Sequence, residues 1–400
     1  MKHHLALLVP LALAACATPQ SAENTGGVAD RDVSRAMALF PILDEKAGPE
    51  KNVVYSPASV DQAFGLLRLG AAGETADQLD AILPAPRNAD YLRTDEKDVE
   101  VRLANALFLS DQFRFRKSYV DAAKSRYDAT SELIDVSKPK PASDTINAWA
   151  DEATDGLIPE VVSPQAITPD LVAILANALY FDGKWETKLT GGDQRNFLHG
   201  NGIDAPFKFV GKVLSLQRVE KGGWSAVRLP YANERYAMDV IMPTKRRVMD
   251  ETPSPRAIEE FGSALGEAKL QLSDLLIPQF EVDYETSLKE PLMALGLTKP
   301  FTIGQADLSL MAEPGQLPLM VSEARHVTKL QVFDAGTRAA AVTTISIILT
   351  AGTIYKTDPV PFHADRPFIM VIRDLKENEI LFVGRISDPQ PFEPVVEDDY

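Results

Sequence analysis

The 400-residue chain has one cysteine, five histidines and only 8% aromatic residues. A single cysteine excludes a disulfide-stabilised scaffold and a cysteine-ligated metal site. The chain also lacks a Gly-x-Ser-x-Gly motif, a His-Glu-x-x-His motif and a glycine-rich phosphate loop. Because these motifs carry common hydrolase, zinc-peptidase and nucleotide-binding chemistry, we expect no enzyme activity, no cofactor and no metal.

Acidic residues outnumber basic ones by 57 to 41, which gives a formal net charge of -16. They are spread along the chain, and such a surface repels phosphate backbones, so nucleic acid is not an expected partner. With 45% hydrophobic and 24% charged residues, the chain can bury a large core. This composition excludes a disordered chain, a collagenous repeat and a polytopic membrane protein.

The amino terminus has the pattern of a secretory signal. Lys2 precedes an apolar run, Leu5 to Ala15, that is too short to span a bilayer as a lasting helix. Leu13-Ala14-Ala15-Cys16 resembles the bacterial lipobox, which implies removal of residues 1–15 and acylation of the Cys16 thiol. The alternative is a plain signal peptide with a chance cysteine.

The residues after Cys16 predict where the protein is held. Ala17, rather than Asp, favours the outer membrane by analogy with such lipoproteins. Residues 16–30 are small and polar, which predicts a flexible tether. We therefore expect a protein of the cell envelope, anchored by lipid and facing either the periplasm or the outside.

Residues 31–390 show no second linker or repeat, which predicts one large domain followed by an acidic tail over residues 391–400. Ser56, Pro57 and Gly70 mark the cap, first turn and end of a helix. A second amphipathic helix is predicted over residues 143–154. Apolar or alternating patterns predict strands at 171–183, 237–243, around 275–282, and at 318–333, 368–374 and 380–387. The fold class is α+β with large mixed or antiparallel sheets.

Separated segments resemble conserved blocks of the serpin family, in the family's order and over nearly the full length. They are residues 52–60 with 69–75 and 78–79, 146–149 with 154–158, 177–185, 229–231, 334–341, and 364–368 with 384–386 and 388–389. The resemblance implies the serpin fold, in which helices of the amino-terminal half pack on large sheets and a reactive loop is exposed. It also implies suicide inhibition of a serine or cysteine protease.

The inhibition implied by the resemblance is mechanical. The protease cleaves a bait bond in the loop, and the loop then inserts as a new central strand that drags and distorts the acylated protease. The native fold must therefore be metastable. The hinge of this loop is predicted at Asp334, Gly336, Thr337, Arg338, Ala339, Ala340 and Ala341.

Strand parity supports an insertable loop. One face carries Thr337, Ala339, Ala341, Thr343, Ile345 and Ile347, all small or apolar, and Arg338 falls on the opposite face. Arg338 replaces the family's usual Glu, and Ala335 replaces a usual acidic residue. Alternatives are a permanent strand or an ordinary surface loop, although an uncharged exposed run of this kind promotes aggregation.

Two further groups are implied by the resemblance. A central shutter would contain Ser56, Ser59, Asn177 and His326, which could also be an ordinary satisfied core cluster. A breach at the top of the sheet would contain Trp185, with Lys289 opposite Asp334 as a charge pair.

The family's usual spacing from the hinge glycine places the bait bond at Thr350-Ala351. This bond would suit proteases with pockets for small or apolar residues. The segment that follows is longer than usual, so cleavage between Lys356 and Thr357 by a trypsin-like protease stays the alternative.

Other functions remain open at this stage. A non-inhibitory serpin that acts as a binding or envelope protein is the main alternative, and a hydrolase or a solute-binding lipoprotein is more remote. The family resemblance implies a monomer whose partner is the target protease.

Overall fold

The computed structural model describes residues 35–82, 94–96, 98–315, 319–338 and 358–392. All of these residues belong to one compact unit that spans Val33–Tyr400. Its seven α-helices in the described ranges are α1 (Leu39–Ala47), α2 (Pro57–Gly70), α3 (Gly73–Ile82), α4 (Lys117–Tyr127), α5 (Pro139–Ala153), α6 (Pro255–Glu267) and α7 (Lys289–Ala294). Short 3-10 helices lie at Arg35–Ala38, Pro164–Ala166 and Lys299–Phe301.

Sixteen strands lie in the same described ranges. They are β1 (Val53–Tyr55), β2 (Thr94–Glu96), β3 (Val99–Ser110), β4 (Thr130–Ile134), β5 (Ala173–Lys184), β6 (Thr190–Leu198), β7 (Asp204–Lys221), β8 (Trp224–Pro230), β9 (Tyr236–Pro243), β10 (Leu270–Pro278), β11 (Phe280–Ser287), β12 (Arg325–Val332), β13 (Gly336–Arg338), β14 (Val360–His363), β15 (Phe368–Asp374) and β16 (Glu379–Ile386).

The strands form two sheets. The nine-stranded sheet has the order β1-β16-β15-β9-β8-β7-β10-β14, with β6 also paired to β7. The seven-stranded sheet has the order β11-β12-β13-β5-β3-β2, with β4 also paired to β3. The pairs β10–β14 and β3–β4 are parallel, and the others are antiparallel. The α+β class and the serpin fold are therefore confirmed.

A core of aromatic and aliphatic side chains joins the two sheets. Phe181 and Phe280 of the seven-stranded sheet belong to the same buried cluster as Phe209, Val240 and Phe368 of the nine-stranded sheet. The strands β9 and β15 are buried at every position, as expected for central strands covered on both faces.

The helix α2 begins and ends as its sequence predicts. The Ser56 Oγ accepts a hydrogen bond from the Ser59 N–H at 3.0 Å, Pro57 occupies the first turn, and Gly70 is the last residue. The helix packs on β5 and β16, one strand from each sheet. Its amino terminus is thereby fixed beside the seven-stranded sheet.

Two strand predictions need correction. The stretch 275–282 is not one strand, because β10 ends at Pro278 in the nine-stranded sheet and β11 begins at Phe280 in the other. The strand expected over 318–333 begins only at Arg325, where pairing with Ser287 starts. None of the described helices is long and apolar enough to cross a membrane. The predicted signal and tether lie outside the described residues, and so does the predicted tail after Phe392.

Candidate functional site

The described strands of the seven-stranded sheet leave a position open between β5 and β12. Among the described strands, these two share no backbone pairing, and only the three-residue β13 lies between them. The strand β13 pairs antiparallel with both neighbours, at Val332 and Gln331 on one side and at Asp182–Lys184 on the other. We call the remaining gap, between residues 173–181 of β5 and 325–330 of β12, the slot.

The slot opens into a large cavity beneath α5. The cavity has a volume of about 660 Å³ and is lined by residues of β5, β12, α2 and α5. Its lining includes Trp149 and Ala150 of α5, Leu175 of β5 and Thr328 of β12. The space adjoins the sheet over much of the length of the slot, so a further strand would have room beneath the helix.

The hinge predicted from the sequence lies at the top of the slot. Three residues, Phe333 to Ala335, turn the chain from β12 into β13, and the Phe333 N–H donates to the Gly336 carbonyl at 3.0 Å. A Cβ on Gly336 would lie 2.1 Å from the Gly183 carbonyl oxygen. Only glycine therefore fits at the point where the returning chain meets β5.

Thr337 is fully buried, as its place on the inward face predicts. The Tyr231 hydroxyl donates to the Thr337 Oγ1 at 2.7 Å. Burial raises the pKa of Tyr231 far above its ordinary value, so the phenol stays protonated and able to donate. The first residue of the insertable face thus already has a hydrogen-bonded place in the core.

Trp185 donates two hydrogen bonds to the turn of the hinge. Its indole N–H donates to the Phe333 carbonyl at 2.9 Å, and its backbone N–H donates to the Ala335 carbonyl at 2.9 Å. The indole ring stacks on Tyr231, with centroids 4.6 Å apart and planes 13° apart. The predicted breach residue Trp185 therefore contacts the hinge directly.

The predicted charge pair between Lys289 and Asp334 is wrong. Asp334 pairs instead with Lys188, whose Nζ lies 3.3 Å from the carboxylate. Lys289 begins α7, after the far end of β11, and its Nζ donates to the Ser322 carbonyl at 3.2 Å. The full length of β11 and β12 separates the two residues, because Asp334 follows the opposite end of that strand pair.

The shutter residues Ser56 and His326 are in contact. The Ser56 backbone N–H donates to His326 Nε2 at 3.1 Å, and the Thr328 hydroxyl lies 2.8 Å from the same nitrogen. Burial lowers the pKa of His326 to about 4. The imidazole is therefore neutral at pH 7, and Nε2 acts as the acceptor.

Asn177 lies on the other side of the slot. Its Nδ2 donates to Asn105 Oδ1 at 2.8 Å, while Asn105 Nδ2 donates to the Tyr127 carbonyl at 2.8 Å. The Oδ1 of Asn177 is buried without a hydrogen-bond partner among the described residues. The predicted shutter residues therefore lie on both sides of the slot, with His326 and Ser56 on the β12 side and Asn177 on the β5 side.

Several residues of this site were missed by the sequence analysis. Thr328 could have been found, since it lies two positions after His326 and shares its face of β12. Lys188, Asn105 and the role of Tyr231 carry no local signal, because their partners lie far away along the chain.

Other predicted residues lie outside the described ranges. They are Cys16, the hinge residues Ala339, Ala340 and Ala341, and the bait residues Thr350, Ala351, Lys356 and Thr357. Within the described ranges, no group of three or more His, Cys, Asp or Glu residues could hold a metal ion.

These features define a two-sheet protein with an open strand position and a loop hinge at its entrance. The family model described as Serpin (serine protease inhibitor) matches residues 33–389. The chain therefore belongs to the serpin family. Members of this family are generally protease inhibitors rather than catalytic enzymes.

Relatives match over most of their length. An uncharacterized serpin-like protein of Methanosarcina mazei is 27% identical over 390 residues, which cover 92% of this chain and 90% of the relative. Antithrombin-III of Ovis aries is 29% identical over 378 residues, which cover 88% of this chain and 80% of that protein. The structure of native protease nexin-1 with heparin has a TM-score of 0.77 at 24% identity, covering 89% of this chain and 98% of that one.

Proposed function

We propose that this protein is a suicide inhibitor of serine or cysteine endopeptidases. The observation that carries the proposal is the slot, an open strand position with the loop hinge already turned into its top. If the register of β13 continued along β5, residues 339–347 would lie opposite residues 181–173. The loop that follows the hinge is long enough for this, because β14 begins only at Val360.

The chemistry belongs to the protease, and the inhibitor supplies the bond and the motion. The oxygen or sulfur nucleophile of the protease attacks the carbonyl carbon of Thr350. The bond to the Ala351 nitrogen breaks, that amine leaves with a proton from the protease, and an ester or thioester remains. Insertion of the loop before hydrolysis would trap this acyl-enzyme and distort the protease.

The metastability needed for this step has a physical source in the slot. An inserted strand would pair its backbone with β5 and β12, and each hydrogen bond contributes about 0.5–1.5 kcal/mol. The alternate residues from Thr337 onward are uncharged and would face the core. The uncleaved loop is held at both ends, by β13 and by β14, so this free energy is released only after cleavage.

A protease panel tests the function and the bait bond together. The domain without residues 1–30 is incubated with elastase-like, subtilisin-like, papain-like and trypsin-like proteases and analysed on denaturing gels. We expect a stable covalent band and a released peptide that begins at Ala351. A peptide that begins at Thr357 would move the bait to Lys356. Cleavage without any complex would leave a non-inhibitory member of the family.

Two neighbouring threonines provide a matched pair of variants. Thr343→Arg places a charge on the face expected to enter the core, whereas Thr344→Arg places it on the opposite face, outside the core between the two sheets. We expect Thr343→Arg to be cleaved as a substrate without forming a complex, and Thr344→Arg to inhibit normally. Equal behaviour of the two variants would contradict strand insertion in this register.

We also propose that the mature protein is a monomer anchored in the cell envelope through acylated Cys16, in the outer membrane. The lipobox-like sequence supports this location. Fractionation of cells that express the full chain or Cys16→Ala tests it. We expect the full chain in the outer-membrane fraction and Cys16→Ala in the soluble fraction; the same fraction for both would contradict anchoring at this residue.

A further inference from the structure

The segment that follows β16, residues 387–392, leaves the nine-stranded sheet and crosses to the edge of the other sheet. After β16, the Glu281 N–H donates to the Gln390 carbonyl at 2.8 Å, and the Gln390 N–H donates to the Glu281 carbonyl at 3.2 Å. Glu281 belongs to β11, the edge strand next to β12. Within the segment Asp388–Phe392, Gln390 therefore adds an antiparallel bridge to the edge of the described sheet.

Phe392 extends from this bridge to the hinge. Its ring meets Phe333 edge-on, with centroids 6.2 Å apart and planes at 85°. Its carbonyl accepts a hydrogen bond from Gln279 Nε2 at 3.0 Å, and Gln279 is itself buried. Phe392 is thus held from two sides, by the buried amide at its backbone and by an aromatic contact at its side chain.

Phe333 is the residue that closes the hinge turn. Its N–H donates to Gly336, and its carbonyl accepts from the Trp185 indole. If the chain continued straight upward from β12 instead of turning, the contact between Phe333 and Gly336 would be lost. Phe392 therefore packs on the residue whose backbone N–H and carbonyl hold the turn, so its ring restrains the position of both groups.

We infer that Phe392 is a positioning residue for loop insertion, which holds the turn at Asp334 and Ala335 so that the cleaved loop enters the slot promptly. The inference rests on the proposed function. An edge-to-face aromatic pair of this kind is expected to change the ratio of the two arrangements by about two- to tenfold.

The first test compares the unaltered protein with Phe392→Ala and with Phe392→Leu, which keeps an apolar contact. The readout is the partition ratio, the number of inhibitor molecules cleaved per protease molecule trapped. We expect Phe392→Ala to raise this number by about two- to tenfold, and Phe392→Leu to lie between the two. Leu270→Ala is the matched control, because Leu270 is an exposed apolar residue that begins β10, at the opposite end of that strand from Gln279. Equal partition ratios for Phe392→Ala and the control would overturn the inference.

The second test does not require inhibition. Amide hydrogen exchange is measured in the uncleaved protein for the peptide that contains Gly336 and Thr337. We expect faster exchange there in Phe392→Ala, with no change in the lower half of β12. Unchanged exchange at the hinge would contradict the positioning role. If the unaltered protein traps no protease, the proposed function fails, and the exchange result alone decides whether Phe392 holds the hinge.

Discussion

The two sheets of this protein differ in how completely they are assembled. In the nine-stranded sheet each consecutive pair in the order is hydrogen-bonded, and β9 and β15 are buried throughout. In the described part of the seven-stranded sheet, β5 and β12 are joined only through the three residues of β13. The chain thus combines a fully paired sheet, which we call the closed sheet, with a second sheet that has an open strand position. The proposed function depends on the second sheet.

The buried polar groups of the two sheets differ in the same way. In the nine-stranded sheet, the fully buried Asp239 accepts from Arg228 at 2.6 Å and from Arg373 at 2.8 Å. Beside the slot, the buried polar residues include a neutral imidazole, an amide and hydroxyls, which belong to His326, Asn105, Ser56 and Thr328. A buried ion that loses its partner costs far more than a neutral group does. Ion pairs suit a sheet whose strand pairing does not change, and neutral groups suit a sheet that, in the proposed function, takes up a further strand.

Cleavage of the loop should produce the largest change in this comparison. Insertion would add residues 339–347 to the seven-stranded sheet, and backbone hydrogen bonds of about 0.5–1.5 kcal/mol each predict a gain of at least about 5 kcal/mol. Thermal unfolding before and after cleavage measures it, with the inward-face variant Thr343→Arg as the control. A cleaved protein with an unchanged unfolding temperature would show that the slot does not fill.

Removal of the central carboxylate of the closed sheet should produce the next largest effect. Asp239→Asn leaves Arg228 buried without its countercharge and Arg373 with Glu259 as its remaining one, which predicts a loss of about 3–5 kcal/mol in the free energy of unfolding. Asp274→Asn, in the same sheet but 39% exposed at its side chain, is the control and should change stability by less than about 1 kcal/mol. Urea denaturation compares them, and similar losses in both variants would remove the distinction between the two kinds of polar group.

The imidazole at the slot should make stability depend on pH. The pKa of His326 is lowered from 6.5 to about 4 in the folded protein, so between these values the unfolded chain binds the extra proton. Above pH 6.5 this imidazole does not lower the free energy of unfolding. As the pH drops to 4, it lowers that free energy by up to about 3 kcal/mol. Burial raises the pKa values of Asp44 and Asp61, so their contribution to the free energy of unfolding increases as the pH falls.

The variant His326→Gln isolates this contribution from those of the carboxylates. We expect the difference in stability between the unaltered protein and His326→Gln to shrink as the pH falls from 6.5 to 4. Denaturant unfolding at several pH values measures the difference. A constant difference across this range would contradict a buried neutral imidazole at the slot.

Loss of one hydroxyl at the hinge should have the smallest effect. Tyr231→Phe leaves the buried Thr337 hydroxyl without its donor, which predicts a cost of about 1–3 kcal/mol to the turned hinge. Amide exchange at Thr337 should become faster, whereas exchange in β9 and β15 should not change. Tyr236→Phe, at a buried tyrosine of the closed sheet, is the comparison variant. Faster exchange in both sheets would indicate a general loss of packing.

Local sequence signals predicted much of the fold. Ser56, Pro57 and Gly70 set both ends of α2 because capping depends on neighbouring residues. The strand at 368–374 was predicted with its observed bounds because an unbroken apolar run, Phe368 to Ile372, makes up most of it. The break at Gln279 was missed because β10 and β11 are both apolar there, and only the partners of each strand show that they lie in different sheets.

The candidate site was predicted where position within a strand decides the outcome. Thr337 is buried, as alternation along the hinge required. The partner of Asp334 was not predictable in this way, since Lys188 reaches it across the sheet rather than along the chain. Phe392 was assigned to an acidic tail, because no sequence pattern shows that the chain end returns to the hinge.

The most direct test of the slot as the acceptor of the loop is amide hydrogen exchange along β5 and β12 before and after cleavage. Residues 173–181 and 325–330 border the slot, whereas β9 and β15 serve as internal references. A loop that enters the slot predicts strong new protection on both borders and none in the references. Unchanged exchange on both borders after complete cleavage would contradict it.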